Sequence, residues 1–129
     1  MTVVVVAAVI EDNHRFLVTR RQPGVHLAGM WEFPGGKTNP DETREAALRR
    51  ELLEELDVEA DVGERLYRTE HVYPDRTIEL DFYRCNIKGA PRPLQGQEMR
   101  WVPRAELPSL DFPPADAELI ALLTTSDAR

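Results

Sequence analysis

The chain has 129 residues, 42% of them hydrophobic, with a formal charge of −7 and a pI near 5.0. That length suits one compact domain over residues 1–129 around a single core, with too little chain for a second. The acidic balance excludes a basic face built to neutralise a nucleic acid polymer, although a bound cation could still bring the charge that a nucleotide-sized ligand needs.

The valine-rich run over residues 3–10 reads as a buried strand and not as a signal or membrane segment. It has no basic flank, is followed at once by Glu11 and Asp12, and is too short to span a bilayer. The turn-like "EDN" and the following "RFLVTR" complete a hairpin. Residues 22–29, with Pro23 and the isolated His26, read as a surface loop, and "MWEFPGG" as a short strand that breaks at Pro34 and the glycines. Asn39, Pro40 and Glu42 then supply an N-cap, a proline at the first helical position and a capping-box glutamate, which predicts a helix over residues 40–56. Its apolar stripe is Ala47, Leu48, Leu52, Leu53 and Leu56.

Further on, "ERLYRTEHVY" and "RTIELDFYRCNI" read as two strands joined across "PDR", and "EMRWV" as one more. A short helix over residues 114–123 closes the chain, with Leu119, Ile120, Leu122 and Leu123 facing inward in some combination. The pattern is that of an α+β protein, an αβα sandwich around a mixed sheet. Cys85 is alone, which excludes an intramolecular disulfide and fits a reducing cytoplasm.

The predicted helix carries Arg50, Glu51, Glu54 and Glu55 in an order that works against its own stability. The arginine precedes the glutamates, and carboxylates near a helix C-terminus meet the negative end of the macrodipole. A solvated acidic face is the plain alternative. Carboxylates one turn apart can instead converge on a hard cation such as Mg²⁺, which takes a few carboxylates, waters and substrate phosphates. The preceding Gly35 and Gly36 let the backbone approach an oxyanion or offer a carbonyl to the metal, so the stretch reads as a site that processes phosphates.

The spacing Gly36, Glu42, Arg50-Glu51-Leu52, Glu54-Glu55 and Val58 resembles the Nudix box of the Nudix hydrolases, with Asp57 where that family usually has glycine. "TRR" at 19–21, "WEFPGGK" at 31–37, "YPDRTI" at 73–78 and "DFPPA" at 111–115 resemble, in the same order, MutT-type nucleoside triphosphate pyrophosphohydrolases. The resemblance implies a Nudix-type αβα sandwich. It also implies Mg²⁺-dependent hydrolysis, with Mn²⁺ able to substitute, of a nucleoside triphosphate to the monophosphate and pyrophosphate, oxidised purines such as 8-oxo-dGTP being the first expectation.

By position, the resemblance makes Glu51, Glu54 and Glu55 the carboxylate ligands, with the Gly35 carbonyl as a further metal contact. Arg50 would orient the glutamates, with Gly36 and Glu42 supporting loop and helix from behind. Arg21, His26 and Lys37 would contact phosphates, and Arg76 would lie near the nucleotide. Phe33 and Tyr73 would sandwich a base, or else belong to the core. The fourth acidic ligand of the family aligns with Gln95, which leaves the general base open between Glu98 and a box glutamate, Glu51 or Glu54.

Asp116 stands where MutT has a base-reading asparagine. An ionised aspartate only accepts, which suits the amine of cytosine or the N7–H of 8-oxoguanine, so a CTP or 5-methyl-dCTP type of substrate stays open. Asp116 could also simply cap the last helix. An ADP-ribose-type hydrolase and a non-catalytic nucleotide-binding module are the remaining alternatives. The expected setting is cytoplasmic, without a membrane or a nucleic acid partner, as a monomer or weak homodimer.

Overall fold

The computed structural model describes residues 1–126. Seven strands form one sheet: β1 Thr2–Asp12, β2 Arg15–Arg20, β3 Trp31–Glu32, β4 Gly35–Lys37, β5 Glu59–Val72, β6 Thr77–Lys88 and β7 Met99–Pro103. The helices are α1 Arg44–Leu56 and α2 Ala117–Ser126, with 3₁₀ turns at Arg104–Ser109 and Pro114–Asp116. The sheet runs β3-β2-β1-β6-β5, with β4 added to β1 and β7 to β2. Only the β1–β6 pair is parallel, so the sheet is mixed and the protein is α+β.

The valine run of β1 is apolar on both sides because both sides are covered. Val6, Ala8 and Ile10 pack with Leu17 and the α1 residues Ala47, Leu48, Leu52 and Leu56. Ala7 and Val9 pack on the other face with Phe16, Trp31, Phe82, Leu107, Leu119 and Leu123. These two cores make the αβα layering. The expected hairpin is present, yet β1 and β2 pair only at Glu11↔Phe16 and Asp12↔Arg15. They then part, β1 continuing with β4 and β6 while β2 takes β3 and β7.

Several expectations need correction. The glycines after Pro34 do not end a strand but form β4, because β1 leaves an open edge where the hairpin splays. The long helix starts at Arg44, not at residue 40, and its N-cap is Thr43, whose side chain accepts the Ala46 N–H at 3.1 Å. Asn39 and Glu42 do bond as a capping box would, Glu42 Oε1 accepting the Asn39 N–H at 2.9 Å. Asp41 sits between them at φ 66°, however, a conformation that no helix continues, so the three signals build a turn ahead of the helix. Leu53 is 52% exposed and outside the stripe. Leu119, Ile120 and Leu123 of α2 are buried, while Leu122 is exposed.

The first residue of α1 is tied to the sheet. Arg44 bridges Glu79 Oε2 at 2.6 Å and Asp81 Oδ2 at 3.1 Å on β6, where both acids are almost wholly buried. Cys85 is buried on the same strand, and burial pushes its thiol up to about 12. No helix among the described residues is long and apolar enough to cross a membrane.

Candidate active site

The charged side of α1 is organised by Arg50. Its guanidinium donates to Glu42 Oε2 at 2.8 Å and Oε1 at 3.0 Å, to Glu51 Oε1 at 2.9 Å, to Glu54 Oε1 at 2.8 Å and to the Lys37 carbonyl at 3.0 Å. The bidentate grip on Glu42 and the Asn39 N–H hold the Glu42 carboxyl down at about 2. Glu42, Glu54 and Glu51 in turn raise Arg50 above the usual guanidinium range. One arginine thus ties the turn before the helix, the end of β4 and two glutamates into one unit.

The glycines serve this unit by close approach. A methyl group at Gly36 would lie 2.4 Å from Glu51 Cδ, and one at Gly35 would lie 1.9 Å from the Val6 carbonyl oxygen on β1. Ala8 N–H donates to Pro34 O and Thr38 N–H to Val4 O, with Gly36 opposite Val6 between them. This antiparallel alternation turns the Gly35 carbonyl away from β1, toward the free edge of β4. Gly35 therefore offers an oxygen along the free edge of β4.

Glu55 is the most perturbed acid of the helix, pushed up to about 9 by burial and then by the hydrogen bond and charge of Glu51, with Glu32 and Glu54 adding to it. Glu32 is the residue that sequence reasoning passed over. It sits on β3 opposite Thr19, receives Arg21 Nη1 at 2.8 Å, and is raised because burial outweighs that arginine. Its signal was the acidic residue inside "WEFPGGK", legible only as strand alternation placing it between the buried Trp31 and Phe33.

As the side chains stand, no three His, Cys, Asp or Glu among the described residues converge into a metal cage. The donors themselves fit a hard divalent cation: carboxylates on Glu51, Glu54 and Glu55, and the outward carbonyl of Gly35. A cation there would favour the charged form of Glu55, which burial and then the neighbouring carboxylates disfavour.

The other expected residues are dispersed. Glu98 pairs with Arg20 at 3.1 Å, and Arg20 lies over the Trp31 ring. Trp31 belongs to the α2-side core, whereas Met99, next along, packs on the α1 side. The structure thus places Glu98 on the face opposite the box glutamates. Arg21 is engaged by Glu32 and by the His26 carbonyl at 2.5 Å, while the His26 and Lys37 side chains are exposed. Phe33 is buried and stacked on Phe112 at 5.3 Å, so its ring serves the core. Tyr73 and Arg76 occupy the exposed β5–β6 turn beyond Thr77. Thr77 itself is four residues, about 13 Å, along β6 from the row that holds Gly36, so neither meets the glutamates. Gln95 is exposed in the loop before β7.

Asp116 is 5% exposed, and no group among the described residues hydrogen-bonds its carboxyl. Burial and the charge of Glu32 push it up to about 7. It does not cap α2; it lies in the 3₁₀ turn that precedes it, with its N–H on Pro113 O at 2.9 Å.

Comparison with known proteins gives the family of the chain. The NUDIX domain family matches residues 5–122. The chain is 36% identical to the 8-oxo-dGTP diphosphatase of Escherichia coli strain K12 over 121 residues, 93% of this chain and 94% of that one. It is 37% identical to the CTP pyrophosphohydrolase of the same strain over 117 residues, 90% and 87% of the two chains. The solution structure of the E. coli ORF135 protein superposes with a TM-score of 0.87 at 35% identity, covering 99% of this chain and 93% of that one. Nudix hydrolases generally use a divalent metal. With its box on α1 and its likeness running nearly end to end, this chain belongs to the Nudix hydrolases, as a MutT-like member.

Proposed function

We propose that residues 1–129 act as one Mg²⁺-dependent domain that hydrolyses a nucleoside triphosphate to the monophosphate and pyrophosphate, with oxidised purine nucleotides such as 8-oxo-dGTP as substrate. Glu51, Glu54, Glu55 and the Gly35 carbonyl would hold the cation, whose chemistry there would be activation of the attacking water and offset of charge on the leaving phosphate. Arg50 sets the rotamers of Glu51 and Glu54 against Glu42. Glu54 is the proton acceptor. Its side chain is half-exposed and Arg50 takes only one of its oxygens, whereas Glu51 is engaged by both Arg50 and Glu55. His26 and Lys37, exposed on the loop and β4, are free to meet phosphate oxygens.

The observation that carries the choice of base is Asp116, 5% exposed and with its carboxyl hydrogen-bonded by no described residue, which burial and the charge of Glu32 push up to about 7, so that the neutral acid is available. A neutral carboxylic acid donates through O–H and accepts through C=O, the pattern of an asparagine side chain. It can accept from the N7–H of 8-oxoguanine and donate to O6. An ionised aspartate, which only accepts, would repel guanine O6, and the neutral acid does not. The same pair of atoms can take the N4 amine and N3 of cytosine, and the 37% identity to a CTP pyrophosphohydrolase keeps that as the second reading. Cys85, reduced and buried, supports a cytoplasmic setting.

The test is pyrophosphate release over a nucleotide panel with Mg²⁺, comparing wild type with Glu54→Gln and with chelated metal. Turnover of 8-oxo-dGTP that falls about 10²–10⁴-fold in the variant is expected. No pyrophosphate from any nucleotide, or an unaffected variant, would refute the assignment.

A further inference from the structure

Asp57 occupies the box position at which the chain departs from glycine, yet it keeps the backbone that glycine would adopt. It ends α1 at φ 57° and ψ 41°, its N–H on the Leu53 carbonyl at 3.1 Å. Left-handed backbone is less favourable for aspartate than for glycine. The side chain supplies the compensation, because its carboxylate receives Arg92 Nη2 at 2.5 Å.

Arg92 opens a segment that grips the end of the helix. Its own N–H donates to Leu56 O at 2.8 Å, the Leu94 N–H donates to Glu55 O at 3.0 Å, and Gln97 Nε2 reaches Glu55 O at 3.4 Å. Gln97 is buried and its Oε1 accepts the Gln95 N–H at 3.0 Å. On the far side Gln22 Nε2 donates to Gln95 O at 2.8 Å, and the Arg20 N–H donates to Glu98 O at 2.9 Å. Helix ends leave carbonyls without intrahelical partners. Here the carbonyls of Glu55 and Leu56 are taken up by the loop between β6 and β7.

We propose that the Asp57–Arg92 pair is a positioning device for the hydrolytic reaction: it seats the β6–β7 loop on the last turn of α1 and so fixes the aim of Glu54 and Glu55. This rests on reading those glutamates as metal ligands. Neither Asp57 nor Arg92 touches the reacting groups; both act through the main chain of Glu55. An exposed ion pair alone contributes little to stability. Its effect is instead on the loop, which three further hydrogen bonds hold once it is seated. Arg92 also brings a positive charge to the negative end of the helix dipole.

Asp57→Gly, Arg92→Ala, Arg92→Lys and the combined Asp57→Gly/Arg92→Ala protein separate this role from plain stabilisation. Three measurements apply: calorimetric titration of the nucleotide-free protein with Mg²⁺ alone, exchange of the Leu94 amide, and Tm. Asp57→Gly is expected to keep or raise Tm while Leu94 exchanges faster and Mg²⁺ binds about tenfold more weakly. Arg92→Ala should match it in Mg²⁺ affinity, the combined variant should be no worse than either, and Arg92→Lys should recover most of the loss. Mg²⁺ affinity at the wild-type value in Asp57→Gly and Arg92→Ala would overturn the positioning role and leave the proposed reaction standing. Wild-type protein that binds no Mg²⁺ would instead overturn the reading of the glutamates, and this inference with it.

Discussion

Asp116→Asn replaces a titrating donor-acceptor with a permanent one, and the structure sets the size of the effect. With the Asp116 carboxyl at about 7, roughly nine tenths of the protein carries it neutral at pH 6 and roughly one tenth at pH 8. If the neutral form reads the base, wild-type kcat/KM loses about tenfold across that interval for reasons the asparagine variant cannot share. The ratio of variant to wild-type kcat/KM therefore rises about tenfold from pH 6 to pH 8, and taking the ratio cancels the titration of water, metal ligands and Glu32. Stability moves in the same window. A raised aspartate favours the folded state at low pH, and that contribution is lost as pH climbs from the unfolded value near 4 to the folded value near 7. The rise from the unfolded value to about 7 corresponds to about 4 kcal/mol. Asp116→Asn should accordingly show little change in Tm at pH 4 and a gain of roughly 10–20 degrees at pH 8. Parallel pH profiles for the two proteins, in both kcat/KM and Tm, would refute the neutral-carboxyl account.

The two box glycines should fail differently. Gly35→Ala drives a methyl into the β1 backbone at Val6 and should cost about 1–3 kcal/mol in chemical denaturation. Gly36→Ala meets only the end of the Glu51 side chain, so Tm should hold while kcat/KM falls about 100-fold. Arg44→Ala strips the buried Asp81 and Glu79 of a shared partner, leaving Arg65 at 3.4 Å and Arg68 at 2.9 Å, and should lower stability by about 2–3 kcal/mol in denaturant titration.

What could be read from the chain alone were features that depend on neighbours in sequence. The run of valines, the turn residues between β5 and β6, and the four-residue recurrence of leucines on α1 each carry their own periodicity, so the element types follow directly. The box spacing did the same for the reaction class, since residues three and four apart on one helix must share a face whatever they pack against. The helix start misled because Asn39, Pro40 and Glu42 are local signals whose outcome turned on Asp41 at positive φ. The glycines misled in a similar way, since β4 exists only because β1 and β2 splay apart and leave an edge to fill.

Tertiary structure alone decided the electrostatics of the site. Glu98 looked close to the glutamates along the chain, but pairing of β7 with β2 sends it to the opposite face with Arg20. Glu32 carried no motif role, yet the short β3 brings its charge to bear on Glu55. Asp116, read from the sequence as an ionised acceptor, is pushed up to about 7 by burial and by the charge of Glu32. The reason is physical: hydrogen-bonded spacing along one helix is a short-range property, whereas desolvation and the charge of a residue 84 positions away (116 − 32) depend on how the sheet closes.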